Sequence, residues 1–367
     1  MKPINYPDSY LVVEFTNRCP LACTHCIHST SEKWEHFNKM GNLDKDLLFK
    51  LLDDLARNRM RFQNLITFWL GEPLLHPNFI EIYQAILEHN RRHRTFDQIE
   101  VHTNAVPLHE NIVDAVLKFG DQKQKWHFTI DAATRETFKR IKGRDEFDRV
   151  MKHVEMMVRK RFAAKVSFPA FAFQFIVRNE NHHEAPEFLI HFKHLLAELG
   201  GEAVTVGGGV PNDGRDYVFF RLFDALDMNE QPKANRLYSK TLISLGLTEK
   251  AESPWGEVRR RWHDVLARVR RPVCSGPWKS PVINWDGRVT VCTRDTGFNL
   301  QVGDLRENSF SEIWWNNPQL DNMRAAQLAK DGVVAPFCAG CIIPQSANYT
   351  GITQEEIEKY KNLSDSN

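Results

Sequence analysis

Three closely spaced cysteines constrain this chain more than any other feature. Cys19, Cys23 and Cys26 stand in C-x3-C-x2-C spacing inside the segment NRCPLACTHC. Thiolate is the usual protein ligand of iron–sulfur clusters, and three thiolates on one short loop can bind three corners of a cuboidal cluster. The fourth iron then lacks a cysteine and is open to a small chelating molecule. The spacing therefore predicts a cluster that passes one electron to a bound ligand.

Spacing alone leaves two other interpretations of the triplet open. A three-thiolate zinc site often takes a histidine as its fourth ligand, and His25 and His28 are close in sequence. Buried thiols without a metal are the other alternative. A disulfide framework is disfavoured, because the count of seven cysteines is odd and the chain shows no secretory signal peptide.

The hydrophobic pattern predicts strands that alternate with helices. Apolar, β-branched and aromatic runs predict strands near 10–15, 65–70, 98–103, 125–130, 170–177 and 203–207. Amphipathic segments typical of helices lie at 44–57, 78–90, 108–119, 134–160 and 182–199. This alternation indicates a parallel α/β sheet, and periodicity alone leaves open a flat doubly wound sheet or an open barrel. In both forms ligands gather at the carboxyl ends of the strands.

Short motifs stand at those strand ends. The triplet follows the strand in YLVVEFTNRC, Gly71-Glu72-Pro73 follows the second strand, Thr103-Asn104-Ala105 the third, and Thr129-Ile130-Asp131 ends the fourth. In this order the motifs resemble those of the radical S-adenosylmethionine (SAM) superfamily, over roughly residues 8–210. The chain departs from the family where Leu70 replaces a glycine and where Ala105 replaces another.

The resemblance implies a partial (β/α)6 barrel in which SAM chelates the open iron. A reduced cluster then donates an electron to the sulfonium, and the resulting 5′-deoxyadenosyl radical removes a hydrogen atom from a substrate. An electron donor of the flavodoxin or ferredoxin type is implied as a partner. The residues that the resemblance assigns to SAM are His25, Gly71, Glu72, Pro73, Thr103, Asn104, Thr129 and Asp131.

Each assignment has a plainer alternative. Gly71-Glu72-Pro73 is also a common way to begin a helix with an acidic residue. Thr129 and Asp131 could equally end a strand and cap a helix, and His25 could be a loop histidine that faces solvent.

The remaining cysteines, Cys274, Cys292, Cys338 and Cys341, lie in the last quarter of the chain. From spacing alone, four thiolates favour a zinc site over a complete cubane. The segments CSGPW, DGRVTVC, GDL, SEIWW and CAGC resemble the auxiliary-cluster region of SPASM and twitch radical SAM enzymes. Four cysteines in place of the seven of a full SPASM domain imply the twitch type, with one fully ligated auxiliary [4Fe–4S] cluster. The resemblance thus implies two clusters in all.

We therefore expect four segments. These are a radical SAM partial barrel at 1–210, a helical linker or cap at 211–271, a small α+β auxiliary-cluster domain at 272–350, and a polar C-terminal tail at 351–367. A basic run at 259–271 is typical of a solvated helix, and phosphate or RNA binding is its alternative.

Composition limits the class of protein. The 367 residues are 42% hydrophobic and 26% charged with a net charge of +1, so no overall charge favours nucleic acid or an anionic membrane. No apolar run approaches the ~20 residues that span a bilayer. We expect a cytoplasmic protein, because free thiolates persist in a reducing compartment.

The cysteine count also bears on the reaction. Three ligands of the first cluster and four of the auxiliary cluster use all seven cysteines. No thiol is then left to return a hydrogen atom to a substrate radical. We therefore expect oxidation, with Asp295 as a candidate general base and Arg294 as a candidate for orienting a hydroxyl or carboxylate. A surface turn is the alternative for this pair. Tyr217, Tyr238 and Tyr349 are alternative hydrogen donors.

The expected substrate is a small molecule such as a sugar, an aminocyclitol or a nucleoside-like metabolite. A peptide or protein substrate, as in the maturases, is the first alternative. A redox-neutral epimerase or decarboxylase is the second, and a structural zinc protein that binds a partner is the third.

Overall fold

A computed structural model describes residues 9–30, 39–224, 230–247 and 273–328, and also residues 334, 338, 341, 352–353 and 355–358. The strands are β1 (Tyr10–Val13), β2 (Phe62–Ile66), β3 (Phe96–Thr103), β4 (Gln124–Thr129), β5 (Ala170–Val177), β6 (Ala203–Gly207), β7 (Asp216–Leu222), β8 (Val282–Ile283), β9 (Arg288–Thr290) and β10 (Gln301–Asp304).

The described α-helices as far as Leu328 lie between these strands, except for the last two, which follow β10. They are α1 (Ile27–Thr30), α2 (Lys45–Arg57), α3 (Phe79–His93), α4 (Glu110–Leu117), α5 (Arg135–Lys142), α6 (Phe147–Ala164), α7 (Ala185–Glu198), α8 (Gln231–Ser244), α9 (Gly276–Lys279), α10 (Phe310–Trp315) and α11 (Pro318–Leu328). The expected helix at 134–160 is divided in two by Gly143, which ends α5 in the left-handed region with φ +69°.

All the described strands belong to one sheet, in the order β10-β9-β8-β1-β2-β3-β4-β5-β7-β6. The pairs from β1 to β6 are all parallel, as the alternation of strands and helices predicts. Within the described residues β6 and β10 are the free edges, so the sheet stays open. The expected α/β partial barrel is thereby confirmed, and its strand ends share one rim.

The segment expected to form a helical cap at 211–271 differs from that expectation at its start. Asp216–Leu222 forms β7, which inserts between β5 and β6. Tyr217, Val218 and Phe220 are fully buried, and a run of aromatic and β-branched residues is typical of a strand covered on both faces. Gln231–Ser244 is helical as expected, and 225–229 and 248–272 lie outside the described residues.

The C-terminal strands extend the same sheet. β8 pairs in parallel with β1, and β9 and β10 continue from it in antiparallel fashion. This pairing places the loop after β9 beside the first strand of the barrel. In the segment expected to be a polar tail, Ile352 and Ile357 are buried against Trp278, because the tail carries apolar residues among its charges.

One buried ion pair connects α6 to the sheet. Arg161 forms two parallel hydrogen bonds to the carboxylate of Asp216, at 2.8 and 2.6 Å, and both side chains are less than a tenth exposed. The carboxylate also accepts the backbone N–H of Phe171 at 2.7 Å, so one side chain connects α6, β5 and β7. The pair therefore fixes the inserted strand in place.

We predict that Asp216→Ala lowers the free energy of unfolding by about 3–5 kcal/mol, because it leaves the Arg161 guanidinium buried and unpaired. Chemical denaturation measures the change. The matched control is Asp145→Ala, which removes the exposed pair that Arg135 forms at 2.8 Å, and which we expect to shift the curve far less. Equal shifts for the two variants would contradict the structural role of Asp216.

Candidate active site

The loop after β1 carries the cysteine triplet. Cys19, Cys23 and Cys26 are all partly buried. The backbone N–H of Cys26 donates to the carbonyl of Cys23 at 3.1 Å, which coils the loop into a tight turn. The N–H of Ala22 donates to the carbonyl of Lys142 at 3.0 Å and so fastens the loop to the end of α5. The three thiols are thus held at the carboxyl edge of the sheet.

The triplet opens onto a cleft of about 430 Å³ that collects the strand ends. The sequence-predicted residues that line it are Cys19, Cys23, His25, Cys26, Gly71, Glu72, Thr103, Asn104, Thr129, Asp131 and Arg294. Residues far apart in sequence, from Cys19 to Asp131, therefore share one site, because parallel strands present their carboxyl ends at the same edge. Pro73, Asp295 and the C-terminal cysteines are not among the described lining residues.

Gly71 allows two backbones to meet. A Cβ atom at Gly71 would lie 2.0 Å from the carbonyl oxygen of Thr16 and 2.7 Å from the Cα of Asn17. Any larger residue would push the turn after β2 away from the end of β1. Leu70, in the place of the family's first glycine, also lines the cleft.

Glu72 is buried and fully engaged. Its carboxylate accepts the hydroxyl of Thr103 at 2.8 Å, the backbone N–H of Asn104 at 2.7 Å and that of Leu74 at 3.1 Å. Burial raises the pKa of this carboxyl to about 7, and the hydrogen bonds oppose that rise. Pro73 opens a short 3-10 helix, Pro73–Leu75, that Glu72 caps. The plainer interpretation of this motif, a capped helical turn, is therefore part of the geometry.

The turn after β3 explains a departure from the family pattern. Ala105 has a φ of +60°, in the left-handed region where the family has glycine. Its N–H donates to the hydroxyl of Thr103 at 2.9 Å. The side-chain nitrogen of Asn104 lies 3.7 Å from the sulfur of Cys19. The alanine thus keeps the turn that brings Asn104 to the triplet.

Asp131 forms a buried ion pair that the sequence analysis did not identify. Lys142 donates to its carboxylate at 2.6 Å and to the carbonyl of Thr129 at 2.8 Å. The other carboxylate oxygen accepts the N–H of Ile176 at 2.7 Å. Burial lowers the pKa of Lys142, but Asp131 and the nearby thiols reverse the shift, so the net pKa is raised. The site therefore contains a fixed ammonium beside the triplet.

His25 belongs to a second group on the cleft wall. Arg178 donates to its Nδ1 at 2.8 Å, and the Arg178 guanidinium lies 5.0 Å from the ring centre of Phe223. Burial lowers the pKa of His25 to about 4, and the ammonium of Lys142 adds to the effect. His25 is thus a neutral acceptor that is partly buried. Its assignment to SAM binding stays a prediction.

The C-terminal cysteines lie close to one another. Cys274 precedes α9, Cys292 follows β9, and the N–H of Cys341 donates to the carbonyl of Cys338 at 3.2 Å. Burial raises the pKa of Cys292 to about 12, and the thiols of Cys274 and Cys341 are near enough to raise it further. The loop after Cys292 reaches the cleft, where Trp69 donates to the carbonyl of Thr293 at 2.8 Å.

The two candidate catalytic residues, Arg294 and Asp295, have different surroundings. Arg294 lines the cleft. Asp295 is buried, and its carboxylate accepts the hydroxyl of Thr290 at 2.7 Å and the backbone N–H groups of Asn299 and Leu300 at 2.8 and 2.7 Å. These bonds hold the loop after Cys292 in its conformation, so Asp295 has a structural role there. Its role as a general base stays a prediction.

The donor set fits an iron–sulfur cluster better than a single zinc ion. A tetrahedral zinc with Zn–S bonds of ≈2.3 Å holds its sulfurs about 3.8 Å apart. Among the described residues, the group whose donor atoms all lie within 4.8 Å contains no cysteine. His28 lies 2.8 Å from the carbonyl oxygen of Asn17, and His25 accepts from Arg178. Burial raises the pKa of Cys19 to about 12, so thiolates at neutral pH need a strongly cationic partner, which either kind of metal centre would supply.

Comparison with known proteins identifies the family. The model of the radical SAM superfamily matches residues 13–189, and the model of the SPASM iron–sulfur cluster-binding domain matches residues 274–342. The chain therefore belongs to the radical SAM superfamily and carries a SPASM-type domain. Its cofactors are SAM and two [4Fe–4S] clusters.

Two kinds of curated relative are similar in sequence. The tungsten-containing aldehyde ferredoxin oxidoreductase cofactor-modifying protein of Pyrococcus furiosus is 23% identical over 94% of this chain and 90% of its own length. The GTP 3′,8-cyclase of Chlorobaculum tepidum is 26% identical over 49% of this chain and 48% of its own length. The first relative spans both domains, and the second matches about half of each chain.

Solved structures share the fold. AdoMet-bound anSMEcpe has a TM-score of 0.56 at 15% identity and covers 98% of this chain and 93% of its own. SuiB of Streptococcus suis bound to S-adenosylmethionine has a TM-score of 0.56 at 12% identity, covering 96% and 74%. Identity this low shows the fold alone. No helix among the described residues is long and apolar enough to cross a membrane.

Glu14 gives the site a pH-dependent stability. This fully buried residue accepts the N–H of Leu70 at 2.9 Å through Oε1, while Oε2 has no hydrogen-bond partner in the part of the chain described. Burial raises its pKa from 4.5 to about 7. The folded state therefore holds a proton that the unfolded state has released between these pH values.

We predict that the free energy of unfolding contributed by Glu14 falls as pH rises from 4.5 to 7, by roughly 3 kcal/mol. Glu14→Gln removes the carboxyl whose ionisation in the folded state lowers stability. The free energy of unfolding of the variant, relative to wild type, therefore increases with pH across that window and then levels off. Denaturation profiles at a series of pH values measure the difference. Glu136→Gln, on the exposed face of α5, is the control. Parallel profiles for Glu14→Gln and wild type would rule out the buried, proton-binding carboxyl.

Proposed function

We propose that this protein uses SAM to remove a hydrogen atom from a small organic substrate and that the substrate leaves oxidised. The main support for this proposal is that the three thiols, Glu72 and Asp131 all line one partly enclosed cleft. At about 430 Å³ that cleft is in the size range of small-molecule sites, and its apolar wall residues, among them Phe68 and Trp69, limit the entry of water.

In this proposal Cys19, Cys23 and Cys26 hold the SAM-binding cluster. Together the cluster and SAM supply one-electron cleavage of a C–S bond, which provides the means of breaking an unactivated C–H bond. Gly71 keeps the turn after β2 against β1, so that backbone carbonyls can face the amino group of SAM. Glu72 fixes the turns after β2 and β3 relative to each other.

The side chains around the cleft support oxidation over a redox-neutral outcome. An epimerisation that consumes SAM needs a side chain that gives a hydrogen atom to the substrate radical, and in this proposal all seven cysteines are assigned to clusters. Tyr217 donates its hydroxyl to Asp213 at 2.6 Å, and Tyr238 donates to the carbonyl of Phe220 at 3.0 Å. Neither tyrosine is among the described lining residues, and Tyr349 lies outside the described part of the chain.

The class of substrate is supported by the relatives. One is named for modifying a cofactor and the other for cyclising GTP, and both names describe small polar molecules. We therefore propose a cofactor-like or nucleotide-like metabolite as the substrate. Structures of SuiB and anSMEcpe with bound peptides share the fold, which makes a peptide the principal alternative outcome of the test below.

The C-terminal cysteines complete the proposal. Cys274, Cys292, Cys338 and Cys341 would hold the auxiliary cluster, whose role is to accept the second electron as the substrate radical loses a proton. The loop after Cys292 forms part of the cleft through Thr293 and Arg294, which supports an auxiliary cluster close to the substrate. We propose a flavodoxin- or ferredoxin-type protein as the external electron donor.

We predict that Cys23→Ala and Cys338→Ala affect different steps of the reaction, because each removes a ligand of a different cluster. Cys23→Ala should lower SAM cleavage by at least about 100-fold, more than the 10–100-fold expected from losing an outer-sphere contact to a metal ligand. Cys338→Ala should retain SAM cleavage and lose product formation. Liquid chromatography of anaerobic reactions with dithionite measures 5′-deoxyadenosine and product.

Iron content is the control for both variants, and each should lose about one cluster's worth of iron while keeping the other. Wild-type SAM cleavage in the Cys23→Ala protein would refute the assignment of the triplet. Product formation at the wild-type rate in Cys338→Ala would refute the auxiliary role.

We predict that a small molecule, and not a peptide, donates the abstracted hydrogen. An extract of cells grown in heavy water is divided by ultrafiltration, and the filtrate is treated with protease. With SAM and dithionite, the filtrate should yield deuterated 5′-deoxyadenosine, measured by mass spectrometry, because its metabolites carry deuterium at carbon.

The Cys23→Ala protein and unlabelled extract are the controls for this labelling. Deuterium that arises from the retained macromolecules alone, or that disappears after protease treatment, would contradict the small-molecule substrate and favour the peptide alternative.

A further inference from the structure

A second group of possible metal ligands lies inside the sheet next to the cleft. Glu100 and His102 are on β3 and His127 is on β4, and register pairs His102 directly with His127. Among the described residues this is the group of three or more His, Cys, Asp or Glu side chains whose donor atoms all lie within 4.8 Å of one another. We call it the Glu-His-His group. It shares no residue with the SAM-binding motifs.

The distances in the group match those around one ion. Oε2 of Glu100 lies 3.1 Å from Nε2 of His102 and 3.6 Å from Nε2 of His127. Metal–ligand bonds of about 2.0–2.2 Å at tetrahedral angles hold neighbouring ligand atoms roughly 3.3–3.6 Å apart, so the two distances from Glu100 are close to those around one ion. Two imidazoles and one carboxylate form a set that binds divalent transition metals.

The environment of the His127 side chain is the main evidence that this group binds a ligand. Its side chain is nearly fully buried, and neither ring nitrogen has a hydrogen-bond partner in the part of the chain described. Burying an imidazole without a partner is unfavourable, and such groups are rare in native proteins. A metal ion bound at Nε2 provides the missing partner.

The charge states suit metal binding. Burial lowers the pKa of His127 well below its ordinary value, so the ring is neutral and able to bind. Burial by itself would raise the pKa of Glu100, but the hydrogen bond from His102 and the charges of neighbouring side chains, Lys125 among them, together outweigh it and leave the carboxyl ionised. Lys125 directs its ammonium to the carbonyl of Pro211 and so does not occupy the group.

Neighbouring amides orient the carboxylate. Asn64 and Gln98 donate to Oε1 of Glu100 at 2.9 and 2.7 Å, which leaves Oε2 facing the two histidines. Asn212 accepts from Gln98 at 2.7 Å and donates to Asn64 at 2.6 Å, closing a ring of amides behind the carboxylate. Such outer partners are typical of metal sites, because they fix the direction of each ligand.

We propose that Glu100, His102 and His127 bind a divalent transition-metal ion of the zinc type. The two imidazole rings stack 3.9 Å apart with planes 7° from parallel, so a shared ion requires one ring to turn about its Cβ–Cγ bond. His102 also stacks on Phe68 at 4.5 Å on its other face, so its ring turns only if Phe68, which is partly exposed and lines the cleft, moves with it. Three protein ligands leave a fourth position open, as in sites that bind a water or a substrate oxygen. The site stands independently of the function proposed above.

The test uses full-length protein with its clusters reconstituted anaerobically. The protein is equilibrated with Zn²⁺, freed of loose metal on a chelating resin, and examined by X-ray absorption at the zinc edge. We expect about one zinc per chain, bound by nitrogen and oxygen at about 2.0–2.1 Å and without sulfur at ≈2.3 Å. Because the wild-type spectrum is decisive, the test does not depend on the folding of a variant.

Variants locate the ion. His127→Ala, Glu100→Gln and the milder His102→Ala should each lose the bound zinc while keeping their iron. His109→Ala, which removes an exposed histidine elsewhere, should keep both metals. Wild-type protein that retains no zinc, zinc bound by sulfur, or zinc unchanged in the folded His127→Ala and His102→Ala proteins would each overturn the proposal.

Discussion

Buried carboxylates tie the carboxyl ends of neighbouring strands to one another, and the site depends on this arrangement. Glu14 at the end of β1 accepts from Leu70 after β2, and Glu72 accepts from Thr103 and Asn104 at the end of β3. Asp131 after β4 accepts from Ile176 of β5. Each turn is thereby positioned by the next strand, which is how an open sheet can hold a precise cleft without closing into a barrel.

The same carboxylates make the rim electrostatically unusual. Burial raises the pKa values of Glu14 and Glu72 to about 7, while Lys142 supplies a cation beside Asp131 and the triplet. Buried thiols with raised pKa values complete a site that binds positive charge well. An iron–sulfur cluster held by the triplet would supply that charge, as would the sulfonium and amino group of SAM. The surroundings are thus preorganised for the cofactors of the family.

The sequence was sufficient for the parts that depend on local pattern. Alternation of apolar runs locates most strands, and the short motifs mark their ends. It was insufficient where the outcome depends on distant partners. DYVFFRL has the composition of a strand, but only pairing with both β5 and β6 shows that Asp216–Leu222 belongs inside the sheet. Asp295 follows a cysteine like a catalytic residue, yet its hydrogen bonds to its own loop are visible only in three dimensions.

Polar residues inside the sheet were missed although a signal existed. Gln98, Glu100 and His102 alternate along β3, which places all three on one face of a buried strand. The sequence does not reveal that His127 of the next strand faces them, nor that Lys142 at the end of α5 reaches Asp131. Such groups form through register and helix packing, and these are properties of the whole fold.

The central claim is that the amino-terminal triplet leaves one iron without a cysteine and that SAM occupies it. Electron paramagnetic resonance of the reduced, reconstituted protein tests this directly. The account predicts two cluster signals, of which SAM changes one and leaves the other as it was. Signals that do not respond to SAM, or oxygen-protected protein that is colourless and holds zinc in place of iron, would contradict it.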